Sequence, residues 1–414
     1  MRRGYLVTLV FLTALIALSA NDLTIKRENS VLRSGPASYH KVLAKLPVNS
    51  RVRELNRKDG WIEVMFKTQQ GYIAPSSLNA KTLNNDPFAA IASSSANSRV
   101  AQHSVTAGVK GFAQYYDSSY GFAADQSFWE LATAYETDLD EYSSFYTETY
   151  SSSAPMSFMG GWSIPKNPKP DYFSESHEGF GLAVAAVIAK AGLYSNPLMN
   201  RYVNYVGQNL VLASDAGDIS FRFFILDISQ PNAYACPGGY IFITKGMLQT
   251  VANEAELAFA LAHEIAHVTR FHGMIELKAR ENQIGAESLF AELDEARPDA
   301  FSEDAKAIEA ELENDIMQMF ESLIQGRLDE YELEADQLAL IFMARSGYKP
   351  AAASALMSRL YGRGNESNNQ HYRLESIATR VTGIDNELRK YRDTGSHFLH
   401  SERLQRYKAD AGLR

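Results

Sequence analysis

His263-Glu264-Ile265-Ala266-His267 sets two imidazoles four residues apart, and at 3.6 residues per turn those positions leave one face of a helix. Two rings on one face can converge on a single cation at about 2.0–2.1 Å, with Glu264 beside them and free of the metal. A catalytic zinc keeps one position for water and lowers its pKa toward about 7, where a neighbouring carboxylate can take the proton. The pentapeptide is therefore half of a zinc peptidase site. The plainer reading is a pair of polar histidines in a helical core, so a third ligand has to come from elsewhere in the chain.

Tyr331-Glu332-Leu333-Glu334-Ala335-Asp336 supplies candidates. It opens an apolar run, Leu338 to Ala344, that reads as a buried helix closed by Gly347, with Pro350 behind it. Glu332 and Asp336 are again i and i+4, so one carboxylate can bind a metal while the other accepts the N–H of a metal-bound histidine and fixes its tautomer. The alternative is a solvated acidic helix face.

The elements that must position these groups are legible too. Ala255 to Val268 is apolar on nearly all sides except at His263, Glu264 and His267, the pattern of a helix crossing a core. Asn253 with Glu256 three residues on predicts a capped start, and Gly273 predicts the end. His272 reads as a cation near that helix C-terminus. Upstream, Pro237-Gly238-Gly239 predicts a turn, and Tyr240-Ile241-Phe242-Ile243-Thr244 a strand. An edge strand there would hold an extended polypeptide by main-chain hydrogen bonds.

Together these blocks resemble the gluzincin metallopeptidases of the HtpX, CAAX-prenyl protease and BepA kind (Ste24-type endopeptidases), whose H-E-x-x-H is followed far downstream by E-x-x-A-D. Glu332-Leu333-Glu334-Ala335-Asp336 matches the second element at its Glu, Ala and Asp. Asn232-Ala233-Tyr234-Ala235-Cys236-Pro237-Gly238-Gly239-Tyr240-Ile241 matches the family's N-A-F/Y-x-x-P-G-G-x-I hairpin, which leads into a strand edge above the zinc. The resemblance covers roughly residues 172 to 385. It implies one zinc ion per chain held by His263, His267 and Glu332, Glu264 as general base and Asp336 orienting His263. It also implies substrate contacts at Pro237, Gly238, Gly239, Tyr240 and Ile241. The family further has H-P followed by an R-I pair where this chain has His371-Tyr372-Arg373-Leu374-Glu375-Ser376-Ile377. The proline and the arginine are missing from their usual places, and Arg373 or Arg380 is available as a substitute. His371 is then either a group that stabilises the oxyanion or caps the zinc, or an ordinary surface histidine.

The first twenty residues read as a cleaved secretory signal peptide: Arg2 and Arg3, an apolar stretch from Tyr5 to Leu18, and a small-residue end. With the resemblance, this implies a periplasmic or secreted protein with no membrane span after cleavage. Residues 21–78 contain short alternating strands separated by turn residues such as Asp59-Gly60. The Val-Leu-Arg-Ser-Gly-Pro start, Asp-Gly-Trp and Gly-Tyr-Ile resemble a bacterial SH3-type domain, which implies a cell-wall or peptide ligand, or a folded spacer. Residues 79–107, rich in Ser, Ala and Asn, read as a flexible linker. Residues 108–170 are dense in aromatics and acids. The spacing of Phe128, Leu131, Tyr135, Leu139, Tyr142 and Tyr146 fits a helical stripe that packs on the protease domain or serves as a lid over its cleft. The zinc metallopeptidase domain is expected over 171–390 and a polar C-terminal tail over 391–414.

At 414 residues and 45% hydrophobic content, the chain can bury a substantial core and needs more than one domain. Its net charge of −9 gives no basic footprint for nucleic acid or anionic lipid. A single cysteine, Cys236, excludes an intrachain disulfide and reads as a small packed residue. The expected class is α+β: a small all-β SH3-type barrel followed by an α-rich gluzincin domain with a small sheet. The expected substrate is an extended or unfolded polypeptide, with misassembled envelope proteins as the class that the family implies. The competing reading is a latent or inactive protease-like scaffold or chaperone whose β module binds the ligand.

Overall fold

Alternation of apolar and polar residues near the N-terminus produces six strands: β1 (Asp22–Thr24), β2 (Ser30–Arg33), β3 (Val42–Leu46), β4 (Arg51–Lys58), β5 (Trp61–Phe66) and β6 (Gln69–Ile73). They form one antiparallel sheet in the order β1-β4-β5-β6-β2-β3. Its own core comprises Ile25, Leu32, Leu46, Val52, Ile62, Val64 and Ile73. Asn49, Gly60 and Lys67, all with positive φ, make the tight turns between β3, β4, β5 and β6.

The computed structural model describes residues 22–27, 30–58, 60–78, 128, 131–132, 136–150, 163–165, 175–214, 216, 219–276, 318, 329–364, 374–390 and 398–413. The expected leader, the expected linker and His371 lie outside the described residues.

The end of β2 and the loop after it dock the N-terminal sheet onto the rest of the chain. Arg33 is buried and donates from Nη2 to Ser220 Oγ at 3.1 Å and from Nη1 to the His40 carbonyl at 3.1 Å. Tyr39 packs on Tyr142 with ring centroids 4.5 Å apart.

The second unit is helix-rich around a three-stranded sheet, β7 (Arg222–Leu226), β8 (Ala233–Cys236) and β9 (Tyr240–Thr244), in the order β7-β9-β8. All five residues of β9 are buried; it pairs parallel to β7 and antiparallel to β8. The expectation that Tyr240 to Thr244 forms an edge is thereby corrected. An unbroken apolar run is what a strand covered on both faces requires, and among the described strands β7 and β8 take the two edges.

The helices are α1 (Leu139–Tyr150), α2 (Glu175–Ala189), α3 (Pro197–Ala213), α4 (Lys245–Thr250), α5 (Glu254–Thr269), α6 (Asp329–Arg345), α7 (Ala352–Gly364), α8 (Leu374–Lys390) and α9 (Ser401–Asp410). Helix α2 packs on the Pro237–Gly239 turn so closely that a Cβ on Gly181 would sit 1.6 Å from the Pro237 carbonyl oxygen, so only glycine fits there. Helix α5 is buried from Glu254 to Val268 and lies along α6. Gly347, with φ 79°, ends α6 as expected, with Tyr348 N bonded back to the Met343 carbonyl.

Two further expectations are corrected. The aromatic stripe from Phe128 to Tyr146 is not one helix: residues 136–138 interrupt it, and Asp138 Oδ1 caps a new start by accepting from Asp140 N and Glu141 N. Phe128 packs on Phe224 and Phe242, whereas Tyr142 and Phe145 of α1 pack on Tyr205. The described part of this segment is thus packed against the core. The stretch expected as a polar tail instead contains α9, whose Arg403 and Leu404 are buried, Arg403 in an internal ion pair with Glu254. No helix among the described residues is long and apolar enough to cross a membrane.

Candidate metal centre

The helix that carries the pentapeptide is fixed at its first turn. Asn253 Oδ1 accepts from Glu256 N at 3.0 Å, and Glu256 Oε2 accepts from Ala252 N at 2.8 Å, so side chains satisfy donors that the helix leaves unpaired. Arg359 from α7 forms an ion pair with the same Glu256. The helix ends at Thr269, four residues before the expected Gly273, because Phe271 turns the chain with φ 57°.

One turn apart on α5, His263 Nε2 and His267 Nε2 are 3.0 Å from each other. Glu332, in the first turn of α6, places Oε2 3.2 Å from His263 Nε2 and Oε1 3.4 Å from His267 Nε2. Donors bound tetrahedrally at the usual zinc distances are separated by about 3.3 Å. The three atoms therefore fit a single cation, and among the described residues they are the one His/Cys/Asp/Glu cluster with that property.

Behind the ligands, His263 Nδ1 lies 2.9 Å from Asp336 Oδ1, the carboxylate–imidazole pairing that fixes tautomer and ring orientation. Asp336 is gripped in turn by Arg380 of α8, whose Nε and Nη2 each lie 2.8 Å from a carboxylate oxygen, while its Nη1 reaches Glu332 Oε2 at 2.8 Å. Of the two arginines offered by the sequence, Arg380 is in the site; Arg373 and His371 lie outside the described residues.

These contacts set the charges. Burial pushes the Glu332 and Asp336 carboxyls up, but Arg380 and His263 outweigh it, holding Glu332 well below its usual value and Asp336 below. For His263, burial and Arg380 act downward, yet Glu332 and Asp336 prevail and raise it to about 9. Two consequences follow for chain stripped of metal. The stability contributed by protonated His263 is complete below its unfolded value of 6.5 and lost as pH rises through about 9. Metal uptake at Nε2 must also displace that proton. At pH 7 zinc binding should release about one proton per chain, and affinity should rise with pH up to about 9. Titration in buffers of different ionisation enthalpy reads this directly, and zero proton release at pH 7 would contradict it.

Glu264 is buried on α5 and close to β8: burial and the Glu264 charge push the Tyr234 phenol above its usual value. Of the expected substrate contacts, Gly238 and Gly239 are buried in the turn, with φ 85° and 89°, and Tyr240 and Ile241 lie in the central strand. In the sequence Ala233 to Cys236 reads as part of the hairpin, with the edge after it; the edge position of β8 is a property of strand order. His272, expected as a cation at a helix end, is fully buried beside His267. Cys236 is buried, as expected of a packed residue.

The chain has recognisable relatives among known proteins. The chain is 29% identical over 177 residues to the beta-barrel assembly-enhancing protease of Yersinia pestis, which is 42% of this chain and 35% of that protein. It is 27% identical over 183 residues to the beta-barrel assembly-enhancing protease of Escherichia coli (strain K12), 43% of this chain and 36% of the relative. It is also 27% identical over 159 residues to the mitochondrial metalloendopeptidase OMA1 of Schizosaccharomyces pombe, 38% of this chain and 43% of the relative. The chain thus matches less than half the length of each of these relatives. The model of Peptidase family M48 matches residues 197–410, more than half of the chain and every described residue of the metal cluster, and the chain belongs to that family.

Proposed function

We propose that this chain is a zinc-dependent metalloendopeptidase, periplasmic or secreted, that cuts unfolded or misassembled envelope proteins. The observation that carries this reading is the convergence of His263, His267 and Glu332 on one point, with Glu264 on the same helix. His263 and His267, through Nε2, and Glu332 would hold one zinc ion. When bound, zinc supplies a Lewis acid that acidifies water and polarises the scissile carbonyl. Glu264 takes the proton from the attacking water and returns it to the leaving amine. Asp336 holds the Nδ1 proton of His263, and Arg380 holds Asp336.

Two of the relatives are beta-barrel assembly-enhancing proteases, and the same substrate class suits a cleft bordered by a strand. Edge strand β8 (Ala233–Cys236), packed beside α5, would bind an extended chain by main-chain hydrogen bonds, which selects unfolded polypeptide over a sequence motif. The N-terminal sheet is an SH3-type module in this reading. Its docking through Arg33 and Tyr39 favours a fixed spacer over a mobile ligand-binding arm. The signal-like residues 1–20 support export.

The test is cleavage of an outer-membrane β-barrel protein offered unfolded and folded. The unfolded form should be cut, a chelator should abolish cutting, and added zinc should restore it. Cleavage that persists in chelator would overturn the proposal.

A further inference from the structure

We propose that His272 is a positioning residue that holds His267 in the tautomer and orientation in which Nε2 faces the metal. This rests on the metal centre proposed above and assigns a role to a residue outside it. His272 Nδ1 lies 2.9 Å from His267 Nδ1, and His272 Nε2 lies 3.3 Å from Glu334 Oε2. Its ring is fully buried and stacks on Tyr331 with centroids 4.6 Å apart and an interplanar angle of 18°. Glu334 Oε1 in turn pairs with Arg270 Nε at 3.1 Å.

Proton positions follow from what each nitrogen faces. His267 turns Nε2 toward His263 Nε2 and Glu332, so the lone pair used for the metal is there and the proton is on Nδ1. His272 must then accept at Nδ1, which leaves its proton on Nε2, and the Glu334 carboxylate accepts that proton. The two candidate ligands are therefore anchored alike. His263 reaches an Asp336–Arg380 pair directly, and His267 reaches a Glu334–Arg270 pair through one intervening imidazole. Glu332, Glu334 and Asp336 all stand within the first eight residues of α6, so the helix that supplies the third ligand also sets the other two.

The backbone is bent to make this contact. On an uninterrupted helix His272 would lie about 140° around from His267, given about 100° per residue, and the rings could not meet. The chain instead leaves α5 at Thr269, and Phe271 adopts φ 57°, a left-handed conformation that a residue with a β-carbon disfavours. That turn brings His272 back beside His267.

The test uses the full chain with His272→Leu and His272→Asn, the latter keeping an acceptor near the Nδ1 position. Zinc affinity is read by competition with a chromophoric chelator, alongside thermal unfolding of the metal-stripped proteins. His272→Leu should weaken zinc by about 10–100-fold, and His272→Asn should recover most of it. Equal affinity for the parent and the Leu variant, or equal loss in both variants, overturns the proposal and leaves the metal centre standing. A parent that binds no zinc overturns both. Should the variants fold poorly, histidine ¹⁵N NMR of the zinc-loaded parent decides: His272 protonated on Nε2 supports the proposal, and protonated on Nδ1 overturns it.

Discussion

Glu264→Gln is expected to lower kcat by about 10²–10⁴-fold while zinc binding and fold are retained, because general acid–base catalysis contributes on that order. Glutamine matches glutamate in size and polarity, so the packing of a side chain that is 8% exposed on α5 is preserved. What is lost is the ability to accept a proton from water and deliver it to the amine. Glu264 is not one of the three donors that converge, so zinc content should be unchanged. The loss should also fall on kcat more than KM, since the interaction is made in the transition state. Measuring kcat, KM and bound zinc on one preparation separates these effects. Full activity in Glu264→Gln would remove this residue from the chemistry.

Arg403→Leu is expected to destabilise the chain by about 3–5 kcal/mol, the usual consequence of breaking a buried ion pair from one side. Glu254, the first residue of α5, is fully buried. It accepts from Tyr202 Oη and Tyr348 Oη at 2.7 Å each, and from Arg403 through Nε at 2.6 Å and through Nη2. Arg403 also donates to Thr149 Oγ1 at 2.8 Å and lies 4.3 Å over the Phe145 ring. One carboxylate thus joins α3 and α9, and α1 through Arg403, to the start of the helix that carries His263 and His267. Without the guanidinium, a buried carboxylate keeps the hydrogen bonds of two neutral phenols but loses its counter-charge. Adding Glu254→Gln to Arg403→Leu should recover much of the loss, since no unpaired charge then stays buried. Urea unfolding at pH 7 reads the parent and both variants, and a loss under about 1 kcal/mol for Arg403→Leu would contradict this account.

The metal cluster was legible because its parts are local. His263, His267, Glu332 and Asp336 occupy i and i+4 positions on two helices, and helical geometry alone puts each pair on one face. The caps at Asn253 and Gly347 were equally readable, since each is decided by its immediate neighbours. What escaped depends on long-range pairing. Tyr240 to Thr244 has the composition of a strand, but only strand order makes it central and leaves β8 at the edge. Arg403 looks like an ordinary charge on an amphipathic helix until Glu254 is placed opposite it across 149 residues, and the sequence offered Arg380 without its partner Asp336, 44 residues away. The contact between His272 and His267 was not legible because a helix continuing to Gly273 would turn the two apart, and nothing local announces that Phe271 adopts a left-handed conformation.

The central claim is that two helices bring three side chains onto one zinc ion. The most direct measurement is zinc stoichiometry and affinity for the parent chain and Glu332→Ala, with circular dichroism to confirm that both are folded. The account predicts one zinc per parent chain and binding weakened by more than about 100-fold in Glu332→Ala, beyond the loss usual for a residue that only orients a ligand. A folded parent that binds no zinc, or a Glu332→Ala variant that binds it as tightly as the parent, would contradict it.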